Sequence, residues 1–413
     1  MEEKTITIRS KNYIVPNYSL TGDLLAFEKC PLQYRFNNKG ALPPSIPVQQ
    51  WFGEFIHSVM EEAYLIWKEN PEENQFIWPF EKIQQISIEV ARRLRSKNLK
   101  PNSKIFCPFC EKGDKGGCPD ENHPHHRWAN ETANLAVNGW GRYLFPLISD
   151  CEFKLQGIRP MPGYDPNVSR SRYYSITGVI DVINSVNIQN GGGNNKLIQY
   201  LKEIPSIAEM IEHNPEFEII IDYKGMSRPK NEKSPGKTYN AWEQYARQIK
   251  TYMWLYDQNS KSEGDTKPII CGVVLYLNEL HPTPKDAKAL LALGADVLRN
   301  DFHATDKDLA RLEGAAKSGS DDEGELLNLS EDFLLRRSIQ IIPYDEQAIK
   351  ESLEDFDRTV AELESCVRSE MMNSKDVMSC WKCENYDEAT CTACDLKTVC
   401  EIANKEGIKP KVP

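Results

Sequence analysis

Between residues 49 and 68 the apolar positions Phe52, Phe55, Ile56, Val59, Met60, Ala63, Tyr64 and Trp67 recur at helical spacing, which predicts an amphipathic helix with one buried face. Residues 83–99 and 128–144 carry the same signature, and a Cys/His/Gly/Pro-rich insert at 106–126 separates them. The pattern then changes to short apolar or alternating runs, which predict strands at 151–158, 173–186, 216–224 and 268–277. Trp242, Tyr245, Ile249, Tyr252, Met253 and Tyr256 return to helical spacing, so a helix lies between the third and fourth strands. A strand, a helix and a further strand in that order predict a right-handed crossover and a parallel pair, hence an α/β fold. Residues 282–336 are helix-rich and charged, with AAKSGSDDEGE read as a loop; 338–343 predicts one more strand before a long helix ending near Arg368.

Composition narrows the class. A chain of 413 residues can bury a substantial core. No run approaches the length of a membrane span, and MEEKTITIRS lacks the basic-then-apolar order of a signal peptide, so the expected location is cytoplasmic. The net charge of −11 argues against a general nucleic-acid coat, but charge is uneven. Acidic residues gather after Asp301, whereas SRPKNEKSPGK is basic. No G-x-x-x-x-G-K-[ST] loop occurs, so ATP-driven unwinding would have to come from a partner.

The basic stretch directly follows EFEIIIDYKGM, a run of β-formers that ends in two opposite charges. Alternation along a strand sends Asp222 and Lys224 to one face and Tyr223 to the other. A salt bridge is the plain explanation for a D-x-K pair standing alone. Upstream, however, TGVIDVINSV places Asp181 inside another apolar strand, where a carboxylate is costly unless hydrogen-bonded, paired or bound to metal. His57 lies beside the buried stripe of the first helix and is able to reach a helix–sheet boundary. Carboxylates beside a lysine suit metal-assisted phosphodiester hydrolysis, because hard divalent cations prefer oxygen ligands and lower the pKa of bound water. Gln248 and Tyr252, i and i+4 on the next helix, share a surface.

The ordered set G-x-x-x-H (Gly53 to His57), G-x-x-D (Gly178 to Asp181), D-Y-K (Asp222 to Lys224) and Q-x-x-x-Y (Gln248 to Tyr252) resembles the RecB-type branch of the PD-(D/E)XK nucleases. The resemblance implies a restriction-endonuclease-like core, a central mixed sheet flanked by helices, with helical and metal-binding insertions. It implies that His57, Asp181, Asp222 and the main-chain carbonyl of Tyr223 hold Mg²⁺ or Mn²⁺, that Asp181, Asp222 and Lys224 are catalytic, and that Gln248 and Tyr252 position the DNA strand. The Asp181 to Asp222 separation exceeds the family's usual one and implies an insertion over about residues 187–215. The second acidic ligand is Asp where many relatives have Glu.

Twelve cysteines without an export signal point to metal more than to disulfides. CTACDLKTVC gives Cys391, Cys394 and Cys400, and the resemblance supplies Cys30 of FEKCPLQYRF as the fourth ligand of a [4Fe-4S] cluster, as in the AddB-type nuclease domain and the exonucleases of CRISPR adaptation. The spacing Cys380-x2-Cys383-x7-Cys391-x2-Cys394 fits a Cys₄ zinc knuckle instead, but leaves Cys30 and Cys400 without roles. The insert offers a second zinc-type set, Cys107, Cys110 and Cys118 with His123, His125 or His126.

The expected organisation is an N-terminal helical part at 1–105, the zinc-type insert at 106–126, the nuclease core at 127–280, the charged helical insertion at 281–336 and the iron-sulfur segment at 337–413. The expected function is metal-dependent cleavage of single-stranded or frayed DNA in processing, repair or antiviral defence, alongside a helicase or another subunit. Arg170, Arg172, Arg228, Lys230, Lys233 and Lys237 flank the site in sequence and could follow a phosphate backbone, with Tyr173, Tyr174 and Tyr239 as stacking candidates. The competing reading is an inactive scaffold that keeps the fold.

Overall fold

The structure, a computed structural model, describes residues 5–8, 11–38, 50–97, 99, 124–189, 193, 195–231, 240–263, 267–320, 324–372, 376–382, 391, 394–397 and 400–401. Cys107, Cys110, Cys118, His123, Lys233, Lys237, Tyr239 and Cys383 lie outside the described residues.

Strands β1 (Thr5–Ile8) and β2 (Lys11–Ile14) form an antiparallel pair of their own. The central sheet has six strands: β3 (Asn17–Ser19), β4 (Ile148–Pro160), β5 (Tyr173–Asn187), β6 (Glu216–Lys224), β7 (Ile269–Tyr276) and β8 (Ile339–Pro343). It is mixed. β3 runs parallel to β5 and β6 parallel to β7, while β4–β5, β5–β6 and β7–β8 are antiparallel. Every residue of IICGVVLY in β7 is buried, as expected of a strand covered on both faces.

The main helices are α1 (Gln50–Glu69), α2 (Phe80–Ser96), α3 (Pro124–Leu135), α4 (Ala241–Glu263) and α5 (Glu346–Met372). On one face of the sheet, Phe52, Ile56 and Val59 of α1 and Ile83 and Val90 of α2 share a core with Ile219, Ile221 and Val273. On the other, Ile249 and Met253 of α4 and Leu353, Phe356 and Val360 of α5 pack with Ile220 and Val274. Each such side chain removed from water contributes about 1.5–3 kcal/mol before entropy is counted. This is the central mixed sheet flanked by helices that the resemblance implies, and α4 is the crossover between the parallel strands β6 and β7.

Two details differ from expectation. The stretch 128–144 is not one uniform helix: α3 passes into a π-helical turn, Ala136–Gly141, in which the buried Trp140 donates its indole N–H to Ser338 Oγ at 2.8 Å. β3, only three residues long, is too short to show an alternation. The expected insertion is present as the helices Lys196–Lys202 and Pro205–His213, which leave the β5–β6 ladder intact.

Candidate active site

Strand chemistry places the two carboxylates. In β6, Ile219, Ile221 and Tyr223 join the first core and Ile220 the second, so Asp222 and Lys224 face α4 together. Their ion pair measures 2.6 Å. In β5 the alternation breaks: Ile180 belongs to the second core, yet Val182, two residues on, belongs to the first. Asp181 sits at that reversal, one step beyond the Val182–Ile221 pair of the ladder, and so stands beside Asp222 at the junction of both faces. Its Oδ2 accepts the Tyr223 amide N–H at 2.7 Å.

Helix α1 brings His57 across the end of β6. Nε2 lies 2.7 Å from the Tyr223 carbonyl oxygen, where its N–H donates, and Nδ1 lies 3.6 Å from Asp181 Oδ2. The helix comes this close because Gly53, one turn before His57, rests against Gly225, just past Lys224. Both contacts join residues from the separate motifs.

Helix α4 supplies the floor. Gln248 and Tyr252 are 2% and 3% exposed, so neither projects into solvent as a simple strand contact would. Gln248 Nε2 donates to Asp222 Oδ1 at 3.3 Å and to the Tyr252 hydroxyl at 3.0 Å, while its Oε1 accepts from Lys224 Nζ at 3.3 Å. One amide thus ties the carboxylate, the ammonium and the phenol together. The motif reads as an orienting brace beneath the site.

These groups open into a cleft of about 1560 Å³ that also exposes Glu54, Glu61, Glu62 and Glu152. Burial pushes the Asp181 carboxyl above its usual range; nearby His57 opposes this and Asp222 adds to it. Burial alone would lower the Lys224 ammonium, but the Asp222 and Asp181 carboxylates outweigh it and raise it. Glu152 is also raised, by burial first and then by Asp181 and Glu61. Sequence reading missed Glu152. It occupies the left-handed region at φ 51° directly across from Asp181, and no motif or periodicity marks such a position.

Several basic residues that flank the site in sequence are committed elsewhere. Arg170 pairs with Glu364 at 2.5 Å, and it precedes a strand whose first residue, Tyr173, lies about 26 Å from Asp181 along the chain direction. Tyr174 is fully buried and donates to Asp357. The Arg228 guanidinium lies over the rings of Trp242 and Phe302, at 4.7 and 5.4 Å. Among the described residues the Lys and Arg side chains that line the cleft are Arg93, Lys97, Lys224 and Lys285, of which Lys97 and Lys285 are exposed.

The cysteines gather at a second place. Burial raises the Cys394 thiol; Cys30, Cys391 and Cys400 add to this electrostatically and the Leu396 amide opposes it. Cys30 Sγ accepts the Gln33 amide and Cys394 Sγ the Leu396 amide, each at 3.4 Å. Cys380 instead acts on Cys366 of α5.

The donor set at the cleft, two carboxylates, a carbonyl oxygen and an imidazole, is oxygen-rich and fits a hard divalent cation. Among the described residues, no three His, Cys, Asp or Glu side chains stand in an arrangement that could hold a metal ion as they are. No helix among them is long and apolar enough to cross a membrane. No curated protein matches the chain. Residues 210–401, which include Asp222, Lys224, Gln248, Tyr252, Cys391, Cys394 and Cys400, match the family model of the PD-(D/E)XK nuclease superfamily, and the mixed sheet flanked by helices is consistent with that superfamily's restriction-endonuclease-like fold.

Proposed function

We propose that this chain is a divalent-metal-dependent deoxyribonuclease that acts on single-stranded or frayed DNA. The observation that carries this reading is the meeting of His57, Asp181, the Tyr223 carbonyl and the Asp222–Lys224 pair at the end of β6. His57, Asp181, Asp222 and the Tyr223 carbonyl would hold Mg²⁺ or Mn²⁺, which supplies a polarised phosphoryl oxygen and a more acidic bound water. Lys224 sets a fixed positive charge beside that place, where charge accumulates on the phosphate oxygens. Asp222 and Gln248 prevent the flexible lysine stem from wandering, so its entropy is lost before the substrate arrives.

The cleft itself supports metal dependence. Glu54, Glu61, Glu62, Glu152, Asp181 and Asp222 would repel a phosphate backbone unless cations offset them. Single-strand preference rests on depth: Asp222 is 3% exposed at the cleft floor, and a thin, unpaired strand reaches it more easily than a paired duplex. Exposed Lys97 and Lys285 then meet phosphates on the way in or out.

For the cysteines we favour a [4Fe-4S] cluster on Cys30, Cys391, Cys394 and Cys400. The influence of Cys30, Cys391 and Cys400 on Cys394 and the two N–H···S bonds support it, since such bonds stabilise cluster thiolates. The proximity of Cys380 to Cys366 favours it over the zinc knuckle. A structural zinc on Cys107, Cys110, Cys118 and His123 rests on their spacing alone. Work in DNA processing, repair or antiviral defence, with unwinding supplied by a helicase partner, fits an end-directed nuclease without an ATP-binding loop.

The test is incubation of the anaerobically purified full chain with labelled single-stranded, blunt and frayed DNA in Mg²⁺, Mn²⁺ or EDTA. Metal-dependent shortening of the single-stranded and frayed substrates supports the reading. Tight DNA binding with no cleavage under any metal would favour the scaffold.

A further inference from the structure

Lys224 must keep its ammonium group aimed although it carries a four-carbon stem. The Asp222 and Gln248 contacts, at 2.6 and 3.3 Å, hold it from one side. From another side stands Tyr245, one turn before Gln248 on α4 and outside all four sequence motifs; the Lys224 Nζ lies 5.0 Å from the centre of its ring. That distance is within the range at which an aromatic face attracts a cation.

The ring is itself held. The Tyr245 hydroxyl donates to Met226 Sδ at 2.8 Å, on the segment that follows Lys224. Behind it, the Tyr276 ring packs at 6.2 Å and 57°, and the Tyr276 hydroxyl donates to Gln340 Oε1 at 2.6 Å. Gln340 and Tyr276 belong to the paired strands β8 and β7, so the support runs from the sheet through two aromatic rings to the ammonium.

We propose that Tyr245 is a positioning residue for the cleavage reaction, holding the Lys224 ammonium with the face of its ring, the hydroxyl serving only to orient that ring. The proposal rests on the reading of Lys224 as the charge that serves the reaction. It makes a specific demand: the aromatic face matters, and the hydroxyl does not.

The experiment compares Tyr245→Phe, Tyr245→Leu and Tyr245→Met with wild type and Lys224→Ala in the full chain. Steady-state cleavage of a labelled single strand is measured together with NMR of the Lys224 ε-methylene in ¹³C-lysine-labelled protein. In wild type and Tyr245→Phe that resonance should be shifted upfield by the ring, and kcat should agree within about twofold. In Tyr245→Leu and Tyr245→Met the ring shift should vanish and kcat should fall about five- to thirtyfold with KM unchanged, the loss expected for one cation–π contact. Met fills most of the same space, so a fall in both variants is not a packing defect. Wild-type kcat in Tyr245→Leu and Tyr245→Met, or a Lys224 ε-methylene resonance that keeps its wild-type position in them, would overturn the proposal. Wild-type cleavage by Lys224→Ala would remove the role of Lys224 itself, and the catalytic part of the proposal with it.

Discussion

A side-chain carbon on Gly225 would stand 2.7 Å from the Cα of Gly53 and 3.0 Å from its amide nitrogen. The obstruction is backbone, which cannot rotate away. A Cβ on Gly53 itself meets nothing within 4 Å. The two glycines of one contact are therefore unequal. Gly225→Ala should push α1 and His57 away from the Tyr223 carbonyl and lower kcat about tenfold or more, since small misplacements in a site are expensive. Gly53→Ala should remain within about twofold of wild type and gain slightly in helix stability. Parallel kinetics and thermal unfolding of the two variants check the difference.

Gly178 has a matching role on the other face. A Cβ there would come within 2.6 Å of the Tyr252 ring, whose hydroxyl accepts the Gln248 amide N–H. Gly178→Ala should displace Tyr252, loosen Gln248 from Asp222 and reduce kcat, whereas Tyr252→Phe, which keeps the ring, should cost less. Cleavage kinetics would contradict this if the order were reversed.

The cluster proposed on Cys30, Cys391, Cys394 and Cys400 has a direct chemical readout. Anaerobic purification should give a brown protein with about four irons and four sulfides per chain. Cys30→Ser should lower that iron content and the thermal midpoint together. Elemental analysis that finds zinc and no iron would replace the cluster with the knuckle.

The helical insertion carries a pH signal of its own. Burial would raise the Asp308 carboxyl, but bonds from the Thr305 hydroxyl and amide and the Ser330 hydroxyl and amide outweigh it and hold it below its usual range. A depressed carboxyl stabilises the fold above its unfolded pKa, about 3.9, and this contribution is lost as pH falls toward the lower folded value. Asp308→Asn should therefore cost about 1–3 kcal/mol near neutrality, with the gap from wild type narrowing below about pH 4. Urea unfolding at pH 7 and pH 3 measures it.

Much of this arrangement is legible in the chain. The β6 alternation assigns Asp222 and Lys224 to one face, and the buried helix stripes place α1 and α4 on the sheet. Where periodicity fails, so does sequence reading. Asp181 sits at a reversal of facing, and Glu152 reaches the cleft through a left-handed backbone that period two does not encode. Arg228 shows the other limit: its proximity to Lys224 in sequence suggests a phosphate contact, but its guanidinium stacks near the rings of Trp242 and Phe302. Tyr245 looks like ordinary helix packing until Lys224 is seen over its ring.

The most direct test of the account is cleavage of a single-stranded DNA by the wild-type chain and by Asp222→Asn, each in Mn²⁺ and in EDTA. Asn keeps the shape of the side chain but leaves the Lys224 ammonium without its carboxylate partner at 2.6 Å, a loss that can cost about 3–5 kcal/mol in stability, so both proteins are assayed well below their thermal midpoints. The account predicts Mn²⁺-dependent hydrolysis by wild type and a fall of at least about a hundredfold in Asp222→Asn at a temperature where circular dichroism shows both proteins folded. Equal cleavage by both proteins, or cleavage that persists in EDTA, would contradict it.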